Sequence, residues 1–140
     1  MRQAERALFD LRRGLSILMR DHERAFVVCA VEGLVDAAAG AMQALAGSPA
    51  RLVLSKHRLA ALGHPSAAPA VAIALSPLPD AAGLRALAWQ RGASLPAGAN
   101  LRDGGLVESA ALRLLGRAQL VPAALVCEVG AEQAATIATA

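Results

Sequence analysis

Aromatic side chains are nearly missing from this chain: 140 residues hold no Tyr, one Trp (Trp89) and two Phe (Phe9 and Phe26). Any core must then be built from Ala, Val and Leu, and hydrophobic residues at 56% supply enough of them. Few rings also means few platforms on which unpaired bases could stack. Lysine occurs once (Lys56), against thirteen arginines that are scattered along the sequence. A formal charge of +3 spread in this way is a weak attraction for polyanions, so no nucleic-acid partner is expected. No window of about 18 uncharged apolar residues occurs, so no membrane-spanning helix is expected. The opening MRQAERALFDLRRG is charged throughout and has no secretory apolar core, and the expected location is the cytoplasm. Only two cysteines are present, Cys29 and Cys127, both inside apolar runs. In that compartment they are expected to be free and buried. Alone they fall short of a four-ligand zinc site. No Gly-rich phosphate loop, Ser elbow, metal-spaced His pair or CxxC is found.

What is present is an alternation of short helices and strands. QAERALFDLRR sets Ala4, Ala7, Leu8 and Leu11 on one face of a helix that Gly14 should stop. LSILM and AFVVCAV are too short for helices and rich in branched residues, so they read as strands joined through DHER. LVDAAAGAMQALAG reads as a helix ending near Gly47, ARLVLS as a strand, and KHRLAALG as a short helix stopped by Gly63. AVAIALS is a further strand, and Pro79 and Asp80 open a helix over PDAAGLRALAWQ. RGASLPAGANLRDGG has loop composition. LVESAALRLLGRAQL places Val107, Ala111, Leu114 and Ala118 on one helical face and Arg113 and Arg117 on another. AALVCEV is a last buried strand. The final GAEQAATIATA shows little pattern, and 130–140 is expected to be a flexible tail or the start of a linker. The expected architecture is one α+β domain over 1–140, a mixed sheet flanked by helices in α/β-type layers.

The candidate chemistry is thin. Asp21, His22, Glu23 and Arg24 form a charged cluster before a seven-residue apolar run. His57 and His64 stand apart from it and from each other. Glu32 and Glu128 both follow apolar strands, where a carboxylate can be a ligand, a base or a solvated rim. Glu108 falls in the first turn of its helix and complements the helix dipole whatever else it does.

The order ALFDLRRG, D-x-E, AVE, LVLSKHRLAALG, GGLVESA and LVPAALVCEV resembles the dihydroxybutanone-phosphate synthase family of riboflavin biosynthesis. Leu11, Arg12 and Gly14 match a Leu-Arg-x-Gly pattern, and Pro122, Ala123, Cys127 and Glu128 match a Pro-Ala-x-x-x-Cys-Glu strand. The resemblance implies a reaction of ribulose 5-phosphate giving formate and a four-carbon phosphate. It also implies a magnesium site of oxygen ligands and a dimer whose active sites draw on both subunits.

The departures fall on that chemistry. Of the family's acidic loop, Asp-Asp-Glu-x-Arg-Glu-Asn-Glu-Gly-Asp, only Asp21, Glu23 and Arg24 have counterparts. In the motif Gly-His-Thr-Glu-Ala, Gly105 is kept, Leu106 replaces the metal-binding His, and Glu108 fits the Glu; an ungapped alignment from the Cys-Glu strand shifts this by one residue. The expectation is therefore a catalytically inactive synthase-like domain with a structural, dimerisation or regulatory role, similar to the degenerate first halves that precede GTP cyclohydrolase II. Asp21, Glu23 and Glu108 are its left-over catalytic candidates. No metal or other cofactor is expected, with magnesium entering only if that site works. The expected partners are a second copy and a covalently attached domain of cyclohydrolase type. The alternative is an enzyme or binder that rebuilt the pocket for a sugar phosphate, with Arg24, Arg102 and Glu108 near it.

Overall fold

The computed structural model describes residues 2–45 and 49–139. Helix α1 (Arg2–Arg12) leads into the hairpin β1 (Ile17–Asp21) and β2 (Arg24–Ala30). Then come α2 (Asp36–Leu45), β3 (Arg51–Ser55), α3 (Lys56–Ala61), β4 (Ala70–Ala74) and α4 (Ala81–Trp89). The chain continues through β5 (Asn100–Asp103), α5 (Leu106–Arg117), β6 (Ala123–Val129) and α6 (Ala131–Thr139). The expected stop of α2 near Gly47 lies outside the described residues.

The strands form one sheet in the order β1-β2-β6-β3-β4-β5. All its pairings are antiparallel, where the sequence pattern led us to expect a mixed sheet. Strand–helix–strand order suggests parallel crossovers, but a parallel crossover must carry the chain back along the whole strand. Helix α3 is only six residues long, and the chain re-enters β4 at the end where it left β3, with Ser55 opposite Ala70.

Side-chain alternation divides the core in two. Ala25, Val27 and Cys29 of β2 join Leu52, Leu54, Val71, Ile73, Leu125 and Cys127 beneath α2, α3, α4 and α6. Phe26, Val28 and Ala30 join Val53, Ala72, Ala124 and Val126 on the opposite face, with Leu11 of α1 and Val107, Ala111, Leu112 and Leu115 of α5. Covered on both faces beyond the exposed Arg24, β2 is apolar from Ala25 onward, which is why AFVVCAV shows no polar alternation.

Helix ends follow local chemistry. Gly14 (φ 78°) and Gly63 (φ 87°) adopt the left-handed conformation just beyond α1 and α3, which only glycine takes without strain. Asp80 accepts from Gly83 N at 2.8 Å to start α4. Arg58 finishes that helix by donating to Leu87 O at 2.7 Å and Gln90 O at 2.8 Å.

Two segments read as irregular are ordered elements. β5 lies within the expected loop, and α6 occupies most of the expected tail. β5 is a four-residue edge strand, exposed at three positions, so no apolar pattern marks it. In α6 the described side chains show one buried position, Ala134, set against the core.

Both cysteines are free and buried. Loss of water around the sulfur pushes the Cys29 thiol up to about 12 and the Cys127 thiol up to about 11. Native protein should accordingly react with an aromatic disulfide reagent far more slowly than urea-unfolded protein. Labelling of both thiols at the unfolded rate would contradict the burial.

Candidate functional site

Sequence and register together build a cleft at the tip of the β1–β2 hairpin. Asp21 pairs with Arg24 in the ladder, so His22 and Glu23 alone make the turn. His22 has φ 56°, the left-handed conformation that the first central residue of a tight hairpin requires. Its side chain is 91% exposed and lies 3.7 Å from Asp21 Oδ1.

Arg24 stays on the sheet face beneath α1 and α5 by strand alternation. It meets Glu128 of β6 there, donating from Nε to Oε2 at 3.1 Å and from Nη2 to Oε1 at 2.8 Å. The guanidinium also sits 5.1 Å above the Phe26 ring. Its hydrogen bond and charge hold the Glu128 carboxyl below the usual carboxylate range, with Arg51 and Arg102 adding to the field. In return Glu128 raises the Arg24 pKa. Two-point contact fixes both partners in direction as well as distance.

The opposite wall is the start of α5. Gly105 is the N-cap and has no side chain with which to cap the helix. Glu108, three residues on, reaches back and accepts from Gly105 N at 2.9 Å, the carboxylate half of a capping box. Its other oxygen is 3.6 Å from Arg102 Nη2. Glu108 is 6% exposed.

Asp21, Arg24, Phe26, Arg102, Gly105, Leu106, Val107 and Glu108 line the resulting cavity of about 60 Å³. Four expected site residues, Asp21, Arg24, Arg102 and Glu108, therefore converge. Glu23 does not line the cavity and is exposed in the turn. His57 lies outside it too, and His64 borders a neighbouring concavity of about 250 Å³ that shares Arg102 with the cleft and is also lined by Ser66, Leu101 and Asp103. Glu32 accepts from Val121 N at 2.8 Å, tying the end of β2 to the entry of β6. The Arg24–Glu128 fork was not anticipated; the clue would have been the register of two strands 104 residues apart.

Magnesium fits this donor set poorly. It asks for near-octahedral oxygen ligation, much of it often water, anchored by carboxylates free to bind. Glu108 is committed to Gly105 and Arg102, and Leu106, 73% exposed at the mouth, offers no donor side chain. Among the described residues no three His, Cys, Asp or Glu side chains gather as metal ligands.

The arrangement of sheet and helices matches solved structures closely. A two-domain 3,4-dihydroxy-2-butanone 4-phosphate synthase from A. baumannii superposes with a TM-score of 0.64 at 19% identity, over 90% of this chain and 47% of that one. The chain has the fold of a 3,4-dihydroxy-2-butanone 4-phosphate synthase. The Candida albicans synthase aligns with a TM-score of 0.64 at 22% identity, over 89% of this chain and 78% of that one. A synthase solved with two magnesium ions gives a TM-score of 0.65 at 17% identity, over 89% and 74%. This chain thus spans less than half of the two-domain protein and about three quarters of the others. No family model matches the sequence, and no curated protein matches it.

Proposed function

We propose that this chain is a synthase-like domain of riboflavin biosynthesis that does not itself convert ribulose 5-phosphate, and that it serves assembly or regulation beside a domain of GTP cyclohydrolase II type. One observation carries the reading: the cleft neutralises itself. Arg24 is forked onto Glu128, while Glu108 caps α5 and faces Arg102. A substrate phosphate would have to compete for these arginines, and small-ligand pockets typically measure about 300–1,000 Å³. Incubation with ribulose 5-phosphate and magnesium is expected to release no formate above buffer. Release that disappears in Asp21→Asn would overturn the proposal.

A second reading, sugar-phosphate binding without turnover, draws on the convergence of Asp21, Arg24, Arg102 and Glu108. Calorimetric titration with ribulose 5-phosphate separates the two: saturable heat lost in Arg24→Ala favours the binder.

The proposed assembly role includes a homodimer. The candidate contact faces are the helices over 34–46 and 107–118, and Ala46 lies outside the described residues. On α5, Val107, Ala111, Leu112 and Leu115 are spent on the sheet, and Arg113 and Arg117 face outward. On α2, Ala37, Gly40, Ala41 and Ala44 are exposed, with Val35 just before them. Small side chains permit close helix approach, so α2 is the better face. Sedimentation at micromolar concentration should give about twice the 14.3 kDa chain mass. A 14.3 kDa species unchanged on concentration would exclude the dimer.

A further inference from the structure

The net charge of this chain resides in one layer. Helix α1 with Arg13, together with α5, contains six arginines and three acids, while the rest of the chain has eight basic and eight acidic residues. Of those three acids, Glu108 is buried and bonded to Gly105, which leaves the outer surface more basic still.

Arg6, Arg12, Arg13, Arg113 and Arg117 are all exposed. Arg12 Nε donates to Ala118 O at 3.0 Å, joining the C-terminal ends of α1 and α5 and placing Arg13 and Arg117 at one junction. Arg113 is one turn from Arg117. Phe9 is 56% exposed between Arg6 and Arg13, with the Arg13 guanidinium 5.2 Å above its ring. Among the described residues, none of these five arginines has a carboxylate within 4.0 Å. Attraction to helix C-terminal carbonyls accounts for Arg12 and contributes at Arg117, but Arg6 lies mid-helix and gains nothing from it.

We propose that the α1/α5 surface docks an acidic segment of a protein partner, whose carboxylates pair with Arg6, Arg13, Arg113 and Arg117 around the Phe9 ring. Guanidinium groups suit two-point carboxylate contacts. Single-stranded nucleic acid would call for successive aromatic platforms, and this surface has one. A membrane surface would call for an apolar helix face, yet Leu11 is buried against the sheet and Ala7 packs beside it.

The test is fluorescence anisotropy with a short labelled polyglutamate peptide. Binding is expected to weaken as salt rises. It should be about tenfold weaker in the double variant Arg13→Glu/Arg117→Glu, since several surface ion pairs are reversed together. Arg20→Glu/Arg91→Glu changes net charge equally, alters two exposed arginines elsewhere and should bind like the parent. Circular dichroism checks that each variant is folded. Absence of binding, or equal loss in both double variants, overturns the proposal. So does tighter binding of oligothymidine or phosphatidylserine vesicles through Arg13 and Arg117, which would assign the surface to another class of partner.

Discussion

Leu125→Ala is expected to destabilise the protein by about 2–5 kcal/mol. Leu125 is 0% exposed on β6, the strand that joins the two halves of the sheet. It stands opposite Cys29 on one neighbour and Leu52 on the other, beneath α2, α3, α4 and α6. Truncation removes the transfer free energy of the lost atoms and leaves a cavity between the sheet and the helix side chains packed on it, which can close in only partly. Set against a total stability of about 5–15 kcal/mol, that loss is severe. Urea unfolding followed by circular dichroism measures it. Leu106→Ala is the matched control: at 73% exposure it should change stability by less than about 0.5 kcal/mol. A Leu125→Ala cost below that of the control would mean that β6 is not the centre of the sheet.

Glu108→Ala and Glu108→Gln should part company. The alanine variant leaves the Gly105 N–H without its partner and removes the carboxylate facing Arg102, a loss of about 1–3 kcal/mol. Glutamine keeps an oxygen for Gly105, as the capping box allows, and should cost less than about 1 kcal/mol. Equal costs would show that the charge opposite Arg102, not the cap, gives Glu108 its value. The pair also bears on the proposed function. A residue retained for capping tolerates Gln, whereas a residue retained for proton transfer does not.

Much of the fold was legible in single segments. AFVVCAV announced a strand because it is short, apolar and rich in branched residues; its burial on both faces is what the two core layers added. KHRLAALG showed its helix through the Gly63 stop, a signal that acts over a few residues, while the Ser55 cap at its start emerged only in the structure. β5 was not legible, because a short edge strand is held by backbone bonds to β4 and carries only Leu101 as a half-buried apolar contact. The wholly antiparallel sheet was hidden too, since connection direction depends on where each helix returns the chain. For the site, Asp21, Arg24, Arg102 and Glu108 could be named from type and position, but the pairings that now occupy three of them could not.

By itself, then, the sequence determined an Ala-Val-Leu core, buried free thiols and the sites of most helices and strands, because composition and short-range periodicity act locally. Only the tertiary structure decided which charges meet. Strand register brings Arg24 to Glu128 beside the cleft. The packing of α1 on α5 gathers arginines from opposite ends of the chain, Arg12 reaching Ala118 O, into one basic surface. Coulomb energy depends on distance in space, and a sequence in which those arginines look scattered carries no record of it.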